Sequence, residues 1–140
     1  MGAGSIVQTV RIEALGQLQA APERTVVINV NTDLVATRAL LSAVEVAGGP
    51  VLLVNCDPTD RSRAHFDELS RTHGFDVIEL PARSHGDTLD RLFRELPDER
   101  LLLLDSDAEM RDPEFVRWMR TKLDHPLAFG AGFTWGPFFL

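Results

Sequence analysis

The sequence predicts an α/β protein, a three-layer arrangement in which helices cover both faces of a mostly parallel sheet. Three observations lead there. Four short apolar runs alternate with four segments of helical periodicity. Strands spaced by helices pair in parallel through right-handed crossovers. The runs also end in polar residues, Asn31, Asn55, Asp57, Asp105 and Asp107, at the carboxyl edge where sheets of this kind bind ligands.

The elements follow in order. Residues 1 to 23 carry Ile6, Val7, Val10, Ile12, Leu15 and Leu18, a weak amphipathic pattern that fits either a short strand or a helix. They are read as an N-terminal extension, with the α/β domain over residues 24–140. TVVINV (25 to 30) is β-branched and strand-like. The segment 33 to 48 has helical spacing at Leu34, Leu41 and Val44, and Gly48-Gly49-Pro50 stops it. VLLVNC (51 to 56) is a second buried strand. In the helix that follows, Phe66, Leu69 and His73 share a face, Asp60 is an N-cap candidate and Gly74 the C-terminal stop. FDVIEL (75 to 80) is the third strand. Asp87 is placed to N-cap a helix with Leu89, Leu92, Phe93 and Leu96 on one face, closed by Pro97. LLLLDSD (101 to 107) is the fourth strand, expected to be buried on both faces. Asp112-Pro113-Glu114 then opens a helix to about Leu123.

With 140 residues, 44% of them hydrophobic, the chain can build one domain with a real core. Its 14 basic against 21 acidic side chains give a formal charge of −7, which argues against nucleic acid or anionic membrane as partner. No apolar run reaches the length of a membrane span, and the start lacks the pattern of a signal peptide. The single cysteine, Cys56, fits a reducing compartment and reads as a small buried hydrophobe. A cytoplasmic protein is expected.

The strongest chemical signal is LLLLDSDAEM (101 to 110). Alternation along a strand lets Asp105 and Asp107 lean to one side where it ends. Two carboxylates about 5 Å apart repel by roughly 3 kcal/mol at an effective dielectric of about 20. A site that gathers them favours a divalent cation, a shared proton or open water, and hard oxygen ligands suit Mg²⁺ or Mn²⁺. A plain polar turn after a strand is the competing reading; position among the other strand ends favours the site. Among the histidines, His65 and His73 lie two turns apart, too far to share an ion. His85 alone falls near the strand ends, as a phosphate or acceptor contact or as an exposed loop residue.

The order TVVINVNTD, VLLVNCDPTDRS, SHGDTLDRLF and LLLLDSDAEMRDPEF, over about residues 25 to 123, resembles the donor-binding half of a family-two glycosyltransferase with the Rossmann-like A-type fold. The last piece matches the family's D-x-D strand end most closely. The resemblance implies that Asp105 and Asp107 hold Mn²⁺ or Mg²⁺ against the diphosphate of a nucleotide sugar, Asp107 more directly, with Ser106 between them. It implies that Asp57 or Asn55 meets the base or ribose, that Ser106 contacts the nucleotide sugar, and that the backbone around Asn31 lines the nucleoside pocket. Gly86 would permit close approach to the ligand and Asp90 would face the cleft, although a turn and a first-turn acid account for these two equally well. The loop departs from the family where Asn55 replaces its first acid and Asp57-Pro58 its small Gly-Ser pair.

The family also implies an acceptor-side segment with a catalytic base, and only 33 residues follow Asp107, so the expected function is metal-dependent sugar transfer from a nucleotide donor to an unknown acceptor, with this chain its donor-binding half. A binding domain that transfers nothing is the alternative. LLLLDSDAEM also resembles the first motif of haloacid-dehalogenase-type phosphatases, but it comes late in the chain and Glu109 stands where that family has Thr or Val. Residues 127 to 140, LAFGAGFTWGPFFL, carry no charged side chain. They read as an interrupted strand, a hydrophobic cap or a contact with another chain, through which a homo-oligomer is expected.

Overall fold

The computed structural model describes residues 14–128 and 130. The chain divides into two compact units, Met1–Met110 and Arg111–Leu140. The first opens on a 3₁₀ turn at Leu15–Gln17 and then alternates β1 (Glu23–Val30), α1 (Asp33–Val46), β2 (Val51–Cys56), α2 (Asp60–His73), β3 (Asp76–Leu80), α3 (His85–Glu95) and β4 (Arg100–Leu104). All three strand pairs are parallel, in the order β3-β2-β1-β4, so the α/β fold class expected from the alternation holds.

Side-chain alternation splits the core into two halves. Val26, Leu52, Val54, Ile78 and Leu80 turn to one face, where Leu92 of α3 and Leu96 just past its end meet them together with Leu15 and Leu18. The stretch read as an N-terminal extension therefore contributes two core residues. Val27, Val51, Leu53 and Val77 turn to the other face, against Ala36, Ala39, Leu40 and Ala43 of α1 and Phe66 of α2. Three alanines let the α1 backbone lie close to the sheet. Phe66 is fully buried, which contributes about 1.5–3 kcal/mol of transfer free energy.

Several expectations need correction. Leu34 is 82% exposed and Phe93 63% exposed; the helical stripe toward the sheet is carried by the alanines and Leu40 in α1, and by Leu89 and Leu92 in α3 with its C-cap Leu96. β4 is not buried on both faces, because the strand order places it at the sheet edge, and Leu103 is half exposed. The N-cap of α2 is Thr59, whose hydroxyl accepts from Ser62 N–H at 3.1 Å, and that of α3 is Ser84, accepting from Asp87 N–H at 3.1 Å. Asp60 and Asp87 instead sit in the first turns, where a carboxylate still complements the helix dipole. Gly74 ends α2 at φ 77°, a left-handed conformation that suits glycine.

At the amino edge of the sheet, buried Arg24 forks onto Asp98 through Nε at 2.7 Å and Nη2 at 3.1 Å, and Asp98 also accepts from Ala21 N–H at 2.8 Å. This clamp ties β1 to the loop before β4.

In the second unit, α4 (Pro113–Leu123) begins as the sequence indicates: Asp112 caps it through Glu114 N–H at 2.9 Å and Pro113 takes the first turn. Phe115 and Trp118 stack, and the Lys122 ammonium lies 5.5 Å from the Trp118 ring centre. The pattern at Ile6 to Ile12 and most of the apolar 127 to 140 segment, with the oligomer contact expected of it, lie outside the described residues.

Candidate functional site at the switch point

The strand order reverses direction at β1, where the chain adds β2 and β3 on one side and β4 on the other. The registers show what this leaves open. β1, β2 and β3 end level, Val30 opposite Cys56 and Cys56 opposite Leu80. β4 stops at Leu104, opposite Val27, three residues before β1 ends. Ile28 to Val30 therefore have no β4 partner, and a cleft of about 410 Å³ opens there. Its floor is apolar, formed by Val26, Ile28, Leu89 and Leu103, and its rim carries Asp105, Ser106, Asp107, Thr32 and His85.

Asp105 and Asp107 reach this rim by a different route from the one alternation along a strand suggests. The strand has already ended, and a turn closed by Ala108 N–H to Asp105 C=O at 2.9 Å carries both acids into the cleft. Beyond the turn, Met110 N–H donates to Ser42 Oγ of α1 at 2.9 Å, and the Met110 side chain packs on the α1 face of the core. The acidic turn is thus anchored at both ends while its carboxylates stay exposed.

The other sequence candidates fall elsewhere. Asn55 is buried; it accepts from Asn29 Nδ2 at 2.9 Å and donates to Ser62 Oγ at 3.2 Å, so its amide serves the interior rather than a ligand. Asn31 and Asp57 are exposed residues just past β1 and β2, both in left-handed conformations at φ 56° and 45°, and neither lines the cleft. Gly86 has open space where a Cβ would stand and an ordinary φ, so no close approach requires glycine there. Asp90 pairs with Arg94 at 2.6 Å on the exposed side of α3. Burial pushes the Cys56 thiol up, with the Asp57 charge adding to it, which fits an inert core residue.

Sequence reasoning missed the polar knot beneath the site. Asn29 Nδ2 donates to Asp33 Oδ1 at 2.8 Å as well as to Asn55, and Ser62 Oγ donates to Asp33 Oδ1 at 3.0 Å. Asn29 Oδ1 accepts from both the N–H and the hydroxyl of Thr32, at 3.0 and 2.9 Å. The knot fixes the turn that presents Thr32 to the cleft. Its signal lay in register, since Asn29 and Asn55 are paired positions on neighbouring strands.

Among the described residues no group of three His, Cys, Asp or Glu converges on a point. Two carboxylates without a third protein ligand still suit Mg²⁺ or Mn²⁺, because such ions are commonly held by one or two carboxylates plus substrate phosphates.

The topology and the cleft define a Rossmann-like α/β domain with its opening at the switch point of a parallel sheet. Among solved structures it is similar to S. aureus TarS 1-349, a family-two glycosyltransferase, with a TM-score of 0.54 at 20% sequence identity. The match covers 74% of this chain and 32% of that one, so the chain spans about a third of the structure it matches. The likeness is one of fold, and it agrees with the A-type resemblance seen in the sequence. No protein-family model matches the sequence, and no curated protein does. No helix among the described residues is long and apolar enough to cross a membrane.

Proposed function

We propose that this chain is the donor-binding half of a glycosyltransferase, taking the diphosphate of a nucleotide sugar into the β1/β4 cleft. The single observation that carries the reading is the joint placement of Asp105 and Asp107 on one anchored turn at the rim of that cleft. Asp105 and Asp107 would hold Mn²⁺ or Mg²⁺, which would supply charge neutralisation for a leaving nucleoside diphosphate. The chain's own part is to orient. The anchored turn fixes the acids, the knot under Thr32 fixes the facing wall, and the apolar floor excludes water from one side of the ligand. A nucleoside extending out of the cleft along the carboxyl edge of the sheet would reach the exposed Asn31 and Asp57, which follow β1 and β2. The acceptor and the base that activates it are outside this proposal.

Calorimetric titration of uridine and guanosine diphosphate into the protein, with and without Mn²⁺, tests the reading. Binding strengthened by the metal supports it; binding indifferent to the metal contradicts it. Transfer to an acceptor is a separate assay, which divides a complete enzyme from a module that only binds.

A further inference from the structure

We infer that His85 holds the outer phosphate of the nucleoside diphosphate, from a wall of the cleft other than the one bearing the acids. The inference rests on the donor-binding reading and adds a residue to it. A diphosphate entering beside two carboxylates, in a chain of net charge −7, retains excess negative charge even after one divalent cation has joined them. Something further must donate to it. Among the described side chains lining the cleft, His85 is the one that can carry positive charge. The hydroxyls compete poorly for the part: Thr32 Oγ1 already donates its proton to Asn29 Oδ1 at 2.9 Å, and Ser106 is neutral. The floor is hydrocarbon. His85 is also the first residue of α3, while Asp105 and Asp107 follow β4, so the cation and the imidazole can approach one phosphate from separate elements.

Charge-assisted hydrogen bonds from imidazolium to phosphate oxygen are the strong class. The bond lies at the outer phosphate, which a nucleoside monophosphate lacks, so the two ligands divide a contact of His85 from a general effect on the fold. The test is calorimetry on the full chain at fixed Mn²⁺, with uridine and guanosine diphosphate and the matching monophosphates as probes. His85→Ala should weaken diphosphate binding about 5- to 20-fold and monophosphate binding less than about twofold, and His85→Arg should stay within about threefold of wild type for the diphosphate. His85 is exposed, so thermal unfolding of all three proteins should coincide. Equal diphosphate affinity in wild type and His85→Ala, or equal losses for both classes of ligand, would overturn the inference. If Asp107→Ala abolishes the metal's contribution while His85→Ala binds like wild type, the role of His85 alone is wrong. If the wild type binds neither diphosphate with Mn²⁺, the donor reading falls and the role of His85 with it.

Discussion

Asn29 and Asn55 occupy paired positions on β1 and β2, and the fully buried Asn29 amide donates to Asn55 Oδ1 at 2.9 Å while also reaching Asp33. Buried amides in the middle of a leucine and valine sheet are costly unless every polar atom finds a partner. Here the partners are the turns that open α1 and α2, so the interior polar cost secures the geometry of the cleft's β1 wall. Asn29→Ala removes the acceptor of two Thr32 donors and one donor of the Asp33 carboxylate. It should cost about 2–4 kcal/mol, read as a lower urea midpoint with an unchanged slope. A change under about 0.5 kcal/mol would mean the knot is not closed as described.

The Arg24–Asp98 clamp makes a second prediction. Among the described residues, Asp98→Ala leaves the buried guanidinium with Asp76, 3.5 Å away, and the Gln19 carbonyl as partners. Removing one member of a buried pair costs about 3–5 kcal/mol. Disrupting the exposed Asp90–Arg94 pair by Asp90→Ala should cost less than about 1 kcal/mol, since surface pairs are screened. Parallel thermal melts of the two variants separate them.

Asp76 carries a pH signature. Burial raises its carboxyl above the ordinary range, and nearby Arg24 only partly pulls it back. A raised folded-state value means the folded protein keeps this proton to higher pH than the unfolded chain does. The associated stability is complete below the unfolded value and is lost as pH rises through the folded one. Asp76→Asn has no such loss. The stability of the variant relative to wild type should therefore improve as pH is raised from about 3 to about 7. A difference that stays flat across that window, or moves the other way, contradicts the assignment.

Phe66 and Phe93 test the packing. Phe66→Ala should cost about 3–5 kcal/mol because the ring is fully enclosed on the α1–α2 face, while Phe93→Ser should change stability by less than about 0.5 kcal/mol because that ring is mostly in solvent. Chemical denaturation of both variants checks it; comparable losses would mean α3 is rotated.

Much of the fold was legible in the chain because its strands are short apolar runs and its helices carry caps and stops: β2 over VLLVNC and α4 behind Asp112-Pro113 fall where their residues place them. Legibility failed where the period does not decide. Leu34 and Phe93 obey helical spacing, yet alanine suffices at the α1 contact and the α3 stripe is complete without Phe93. Four leucines look the same at an edge as in the centre, so composition alone points to a doubly buried strand where the strand order puts an edge. Site residues divided by the same logic. Asp105 and Asp107 share the cleft because a turn follows an early strand end. Asn55, polar at a strand end like them, turned inward because Asn29 stands beside it in register, and no single segment of sequence displays that pairing.

In the proposed site the two acids of one turn bind a cation together with a diphosphate. The most direct measurement compares the Mn²⁺-dependent gain in affinity for uridine or guanosine diphosphate between wild type and Asp107→Ala, by calorimetry on folded protein. A gain of about tenfold or more is expected in wild type and none in the variant. The same gain in both proteins, or no gain in wild type, would contradict it.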